Sequence, residues 1–271
     1  MSAEIGMPRR WAGDEGATPR DREAAEGVRV LPRRGVHGHV VTATAEGEPH
    51  AAAHPEPDRS IDAVELPWVP STVVDACSVC LHRLDAGNAT SLGITSSLRR
   101  EGRTTVALGA AAVQRNEYRR ATLLLELDLE QPTLAEALDA APTPGVSEFL
   151  RGAASLAEIV QWVGPDVGVV VAGEVGGEAV SLLSRFHRSR LLAGLAGMTD
   201  VVVGDLPPLV SAGLGERVVG DFGQALLVVR AGRTPMSIIQ SAVGRFEHPP
   251  PVLLNEKTSR IPRWLRPAHG G

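Results

Sequence analysis

Six short apolar runs alternate with helical segments from about residue 91 onward, and this alternation constrains the fold more than any other feature. The runs are SLGITS, ATLLLELDL, VGVVVAG, DVVVGD, ALLVVRAG and PVLLN, with helix-forming stretches such as TTVALGAAAVQRN between them. Strands that are apolar throughout are typical of a parallel sheet covered by helices on both faces. The sequence therefore predicts a three-layer α/β domain with a mainly parallel sheet.

Two of the helical segments matter for the comparison with the structure. The stretch SLAEIVQWV has the pattern of a short helix, and residues 178–196 read as one longer helix. In the longer segment, Phe186, Leu191, Leu192 and Leu195 recur at helical spacing, which predicts core residues rather than a partner surface.

The predicted domain spans residues 70–258, and the chain on either side has a different composition. Residues 1–62 are rich in Gly, Pro, Ala, Arg and Glu without an apolar period, so we expect mostly disorder there. Residues 259–271 form a basic tail around Trp264, whose two prolines argue against an amphipathic helix. We expect this tail to be solvated.

Composition excludes several classes of protein. A net charge of −5 argues against general nucleic-acid binding. No apolar stretch is long enough for a membrane span, and the first residues lack the apolar core of a signal peptide, so we expect a cytoplasmic protein. Cys77 and Cys80 have no second ligand pair, so we interpret them as small residues on a helix rather than a metal site.

The loop after the first predicted strand has the position of a phosphate-binding loop, because ligands bind beyond the carboxyl ends of parallel strands. Its sequence, SLRREGRTT, approximates the pattern GxxxxGK[ST], with Ser97 in the first position. Gly102 permits close approach of backbone N–H groups to phosphate, and the following helix adds a favourable dipole. Arg103 stands where the pattern has lysine, and Thr104 supplies a hydroxyl for Mg²⁺. Arginine keeps the charge but changes its shape.

Three acidic residues follow other strands of the predicted sheet. Glu126 and Asp128 end one apolar run, and Asp205 ends another. A carboxylate at the end of a strand is a common partner of Mg²⁺ in phosphate-loop enzymes. Taken singly, each acid has a simpler interpretation as a helix cap or a solvated loop charge.

Six segments, taken in order, resemble the cytoplasmic domain of bacterial exopolysaccharide tyrosine kinases, which are deviant phosphate-loop ATPases. The segments are ITSSLRREGRTTVALGAA, LLLELDLEQP, GVSEFLRGAASLAEIV, DVVVGDLPPL, ALLVVRAGRT and PVLLNE. The resemblance implies a P-loop NTPase fold, with ATP or ADP and Mg²⁺ as cofactors.

The resemblance also implies roles for single residues. It places the catalytic groups at Arg103, Glu126 and Asp128, and the metal at Thr104, Asp128 and Asp205. The residues that it implies for nucleotide binding are Ser97, Glu101, Gly102, Arg103, Thr104, Thr105 and Asn255.

The chain departs from the family pattern at several positions. Arg99 and Arg100 replace a Pro-Gly pair, Arg103 replaces the lysine, and Glu126 replaces an aspartate. The family's tyrosine-rich tail is absent, since Tyr118 is the one tyrosine of the chain. The ring-forming pattern E-x-x-R-x-x-R of the family reads Asp75, Ser78 and Leu81.

These departures favour a catalytically weak or inactive regulator of polysaccharide synthesis or export. The alternatives are an active hydrolase or protein kinase that uses Arg103 in place of lysine, and an interaction scaffold that binds no nucleotide. The resemblance implies a membrane-anchored polysaccharide chain-length or export protein as partner, which would recruit this chain to the inner face of the membrane. It also allows a dimer.

Overall fold

The computed structural model describes residues 69–210 and 214–255. The predictions for residues 1–62 and for the tail at 259–271 lie outside the described residues. The helices are α1 Ser71–Arg83, α2 Arg103–Asn116, α3 Leu134–Ala137, α4 Val146–Arg151, α5 Leu156–Ile159, α6 Ala179–Phe186, α7 Leu191–Ala196, α8 Gly215–Gly220 and α9 Met236–Val243, with a short 3₁₀ turn at Ala86–Asn88. The strands are β1 Ser91–Ser96, β2 Thr122–Glu126, β3 Gln161–Gly164, β4 Val167–Val170, β5 Val201–Asp205, β6 Gln224–Arg230 and β7 Val252–Asn255.

The strands form one seven-stranded sheet in the order β3-β4-β2-β5-β1-β6-β7. Every neighbouring pair is parallel except β3 and β4, which are antiparallel. The prediction of a mainly parallel sheet in an α/β fold is therefore confirmed. All parallel strands point their carboxyl ends to the same edge, where the loop after β1 lies.

The core has two apolar layers, one on each face of the sheet. In β2, the side chains of Leu123 and Leu125 belong to one layer and Leu124 belongs to the other, as the alternation of a strand requires. Helices α1 and α2 cover the layer of Leu124, and α6 and α7 cover the opposite layer. Burial on both faces explains why the strands are apolar throughout.

Small residues bring α1 and α2 close together. A Cβ atom added at Gly109 would lie 3.0 Å from the Cys77 sulfur, and Cys77 is fully buried. Burial raises the pKa of the Cys77 thiol to about 12, so this group is inert packing material. No cluster of three or more His, Cys, Asp or Glu residues suited to a metal occurs in the described part of the chain.

Two predicted helices differ from the structure. The stretch predicted as a helix from Ser155 ends its helix at Ile159, and Gln161–Gly164 form the edge strand β3 instead. Val160, Trp162 and Val163 are β-branched or aromatic residues that favour a strand, and Trp162 lies 53% exposed at the sheet edge.

The predicted helix at 178–196 is divided in two at Ser189. The Ser189 hydroxyl donates to the carbonyl of Phe186 and accepts from the Leu191 N–H, so it ends α6 and begins α7. The expectation of core residues is met for Phe186, Leu191 and Leu195, which are buried, whereas Leu192 is half-buried.

Within residues 69–210 and 214–255, no helix combines the length and the apolar character that crossing a membrane requires.

Two glycines on paired strands make room for one aromatic ring. Gly93 of β1 pairs with Gly204 of β5. A Cβ atom at Gly204 would lie 2.5 Å from Cζ of Phe222, and one at Gly93 would lie 2.6 Å from Cδ1 of Leu206. Phe222 and Leu206 therefore pack directly on the backbone of the central strands.

Gly204→Ala should lower the free energy of unfolding by about 1–3 kcal/mol, because the buried Phe222 ring must shift to admit the methyl group. Urea unfolding monitored by circular dichroism measures the change. Gly220→Ala is the matched control, since a Cβ atom there has no neighbour within 4 Å. Equal stability of the two variants would contradict the tight packing over Gly204.

Candidate functional site

The loop between β1 and α2 contains two residues in the left-handed region of backbone conformation. Gly102 precedes α2 with φ of 90°, and Arg100 has φ of 63°. The left-handed region favours glycine, so Arg100 occupies a conformation suited to the glycine expected there. A Cβ atom at Gly102 would lie 2.2 Å from Nδ2 of Asn255, so glycine is also required for space.

Glu101 points back into the protein and holds the loop to the neighbouring strands. Its carboxylate accepts from the N–H of Leu98 at 2.7 Å, from the N–H of Arg230 at 3.3 Å and from the hydroxyl of Thr234. Nδ2 of Asn255, at the end of β7, donates to the Glu101 carbonyl at 2.9 Å. Glu101 and Asn255 thus shape the loop, and their contact with a nucleotide stays a prediction.

Arg103 lies under the loop and is engaged by protein groups. Its side chain is only 8% exposed. One guanidinium nitrogen donates to the carbonyl of Leu206 at 2.8 Å, and another donates to Oδ2 of Asp128 at 2.5 Å. The charge that the loop pattern assigns to phosphate is paired here with the carboxylate to which the family resemblance assigns catalytic and metal-binding roles.

Arg99 binds the same carboxylate from the solvent side. Its Nη1 lies 3.1 Å from Oδ2 of Asp128, and its Nη2 pairs with Glu130. Asp128 is therefore shared by two guanidinium groups, one buried and one partly exposed. We call Arg99, Arg103, Asp128 and Glu130 the arginine–carboxylate network.

Thr104, the residue after Arg103 in α2, forms a second polar pair with Asp205. The Thr104 hydroxyl donates to Oδ2 of Asp205 at 2.6 Å. The other oxygen of Asp205 is buried and has no hydrogen-bond partner among the described residues. Buried polar atoms are normally satisfied, so an orphaned carboxylate oxygen beside a hydroxyl fits a Mg²⁺ site.

Burial changes the proton affinity of this carboxyl. It raises the pKa of Asp205 from 3.8 to about 6, although the charge of Arg103 and the Thr104 hydroxyl both act to lower that pKa. Near pH 7 the group is ionised and lacks full compensation. A divalent cation would supply that compensation.

Glu126 serves as an acceptor for backbone groups. Its carboxylate receives N–H donors from Thr133, from Leu134 at 2.8 Å and from Ala172 at 3.1 Å. Burial raises the pKa of Glu126, and these three donors oppose that shift. The geometry matches the simpler interpretation of a helix cap, here at α3, while the catalytic role stays a prediction.

The first turn of α2 offers a site for phosphate. The N–H groups of Arg103, Thr104 and Thr105 lack partners within the helix by position. The helix has 14 residues, so its amino end carries a useful partial positive charge. The hydroxyl of Ser97 is also buried without a partner among the described residues.

The structure brings together, at one edge of the sheet, all of the site residues predicted from the sequence. It adds groups that the sequence did not single out for the site: Thr133, 3.4 Å from the Thr104 hydroxyl, and the carbonyl of Leu206. No sequence signal marks these two contacts, because Arg103 and Leu206, and likewise Thr104 and Thr133, are far apart in sequence.

No protein-family model matches the chain. The tyrosine-protein kinase YwqD of Bacillus subtilis is 27% identical over 146 residues, which are 53% of this chain and 61% of that protein. The tyrosine-protein kinase Etk of Escherichia coli K12 is 27% identical over 157 residues, which are 58% of this chain and 22% of that protein. The chain thus covers less than two thirds of the length of these relatives.

Two solved kinase domains share the fold. The kinase domain of VpsO superposes with a TM-score of 0.61 at 26% identity, covering 69% of this chain and 96% of that one. The kinase domain of Etk from Escherichia coli superposes with a TM-score of 0.62 at 22% identity, covering 73% of this chain and 84% of that one.

Asp205→Asn should stabilise the protein at neutral pH. A carboxyl whose pKa is raised on folding costs no stability below about pH 4 and costs progressively more as the pH rises to about 7. A shift of about two units corresponds to about 3 kcal/mol. The gain of the variant should therefore be absent near pH 4 and reach about 3 kcal/mol at pH 7–8.

Urea unfolding at a series of pH values measures this difference. Asp75→Asn, at an exposed position of α1, is the control and should change stability little at any pH. A gain for Asp205→Asn that does not depend on pH would show that the carboxylate is not buried in its charged form.

Proposed function

We propose that this chain, whose homologues are bacterial tyrosine-protein kinases and whose fold is that of their kinase domains, is a catalytically weak or inactive regulator of polysaccharide synthesis or export. The link to polysaccharide rests on the resemblance of the six sequence segments. The low activity rests on one observation, the engagement of Arg103 by Asp128 and Leu206.

The engagement of Arg103 limits phosphoryl transfer. Such transfer depends almost entirely on positioned charges around the moving phosphoryl group. Before Arg103 can meet a phosphate, its guanidinium must leave a buried ion pair and a buried carbonyl. These existing contacts offset part of what Arg103 would gain from a phosphate, which weakens binding and turnover.

The engagement of Asp128 acts in the same direction. Arg99 and Arg103 both bind its carboxylate, so a metal ion that needs this oxygen competes with two cations. Arg99 is in addition held by Glu130. The arginine–carboxylate network therefore satisfies its own charges without nucleotide.

Several groups still suit a bound nucleotide. The free N–H groups of the first turn of α2 would hold phosphate oxygens, and Thr104 with Asp205 would hold Mg²⁺. When bound, Mg²⁺ neutralises phosphate charge. We infer that ATP or ADP binds weakly and acts as a signal rather than as a rapidly consumed substrate.

The partner that we propose is a membrane-anchored polysaccharide chain-length or export protein. The resemblance implies that this chain works beside such a protein at the inner face of the membrane. The nucleotide state of the loop would then reach the partner through a change in the protein surface.

Calorimetry with Mg²⁺-ATP and Mg²⁺-ADP tests the site. We expect weak, saturable binding by the unmodified protein and about tenfold tighter binding by Arg103→Lys. Lysine lacks the fork that binds Asp128 and Leu206 together, so its charge is free for phosphate. Arg119→Lys, at an exposed position three residues beyond the far end of α2, is the control and should bind as the unmodified protein does.

If neither the unmodified protein nor Arg103→Lys bound ATP or ADP, the result would favour an interaction scaffold that binds no nucleotide over our proposal.

Turnover distinguishes a regulator from an enzyme. Phosphorylation of a glutamate–tyrosine copolymer should be at least about 10²-fold slower than by the Etk kinase domain assayed in parallel, as loss of one positioned charge commonly costs 10²–10³-fold. A rate comparable to that of Etk would mean that Arg103 works in place of lysine, and the proposal would be wrong.

A further inference from the structure

A cavity lies at the opposite edge of the sheet from the loop between β1 and α2. Its volume is about 320 Å³. It opens beside Thr90 and Ser91, at the start of β1, whereas the loop follows the end of β1 at Ser96. The two ends of this six-residue strand are about 17 Å apart. The cavity is therefore a separate site.

The walls of the cavity combine an apolar and a polar side. Phe186 at the end of α6 and Leu192, Ala193 and Ala196 of α7 form the apolar side. The polar side includes His187 and Asp221, whose Nδ1 and Oδ1 atoms lie 2.6 Å apart. Asp221 thereby orients the imidazole ring, whose Nε2 has no partner among the described residues.

The segment that lines the cavity is strongly basic. Arg185, Arg188 and Arg190 flank the lining residues, and all three are exposed. None of them forms a salt bridge with another residue in the described part of the chain. Asp221, the acid in this wall, is paired with His187. Arg151 and Arg185 both lower the pKa of the exposed Glu178, and the second carboxylate oxygen of Asp221 is buried without a partner among the described residues. The segment at 185–190 still carries three exposed arginines, although the whole chain has a net charge of −5.

We propose that this cavity and the basic segment at 185–190 form a docking site for an acidic peptide segment of a partner protein. One apolar side chain of the peptide enters between α6 and α7, and its carboxylates meet the three arginines. Ligand cavities usually measure about 300–1,000 Å³, so a volume of 320 Å³ suits a single side chain better than a large cofactor.

The spread of charge favours a peptide over a small anion. Arg185 precedes the lining residue Phe186, and Arg188 and Arg190 lie between lining residues of the same segment, so the charge is spread over six residues of chain. A buried apolar anchor within a charged rim is also the usual arrangement of a protein interface, where charge accelerates association and the anchor supplies affinity.

Fluorescence anisotropy with three labelled peptides tests the proposal on the full chain. The peptides are EESELESEE, EESESESEE and KKSKLKSKK. The leucine–glutamate peptide should bind about tenfold or more tightly than its serine counterpart, because leucine buries apolar area in the cavity. The lysine peptide should not bind, and 0.5 M NaCl should weaken the binding of both acidic peptides.

Two variants test separately how the arginines and the cavity contribute to the affinity for the peptides. Arg188→Glu with Arg190→Glu should reduce the affinity of both acidic peptides at least tenfold. Ala193→Phe fills the cavity from an exposed position of α7 and should abolish the preference for leucine over serine. The control, Arg83→Glu with Arg233→Glu, reverses two exposed arginines elsewhere and should change neither result. Circular dichroism verifies that each variant is folded.

Three outcomes would overturn the proposal. The first is equal binding of the acidic and lysine peptides, or no binding of either acidic peptide. The second is a preference for leucine that survives Ala193→Phe, which would exclude the cavity as its binding place. The third is full competition by millimolar inorganic phosphate, which would identify a site for small anions. None of these results depends on ATP binding, so the proposed function is tested separately.

Discussion

The burial of the central strands on both faces is the constraint on which the rest of this structure depends. In β1, β2 and β5, every residue is buried, so each backbone N–H and C=O group must find its partner within the sheet. Parallel pairing meets this demand and sends each strand end to the same edge. Because these loops follow buried strands, their polar side chains are also buried, and they find few partners other than one another.

The burial of these polar side chains explains the electrostatics of the candidate site. Asp128, Asp205 and Arg103 are all nearly buried, and a buried charge is tolerated only when it is paired. Asp128 is paired twice, whereas Asp205 has one hydroxyl donor and one orphaned oxygen. The site is therefore saturated on the side of Asp128 and open on the side of Asp205. This asymmetry underlies our proposal that nucleotide binds weakly and that phosphoryl transfer is slow.

Much of the fold follows from local patterns. The six parallel strands and the helix after the first loop are readable because apolar runs and turn residues occur in a regular order. The edge strand β3 differs from the expected helix because its residues fit a helical pattern, whereas Trp162 and Val163, aromatic and β-branched, also fit a strand, and pairing with β4 decides between the two. The break at Ser189 depends on a single hydroxyl that bonds to both helix ends. A prediction from local sequence patterns includes helix propensity but not the hydrogen bonds and strand pairing that form only in the folded chain.

The sequence by itself determined the class of the fold, the loop at the end of β1, and the identity of the residues gathered there. Periodicity and turn chemistry are local properties, and they suffice for the fold class and the loop, whereas the family resemblance added Glu101, Thr105 and Asn255 to the site. Only the tertiary structure decided how those residues are used. Arg103 turns to Asp128 and Leu206, Glu126 caps α3, and Glu101 holds the loop, because these partners lie far away in sequence and near in space. Charge pairing in a buried environment is a property of the assembled fold.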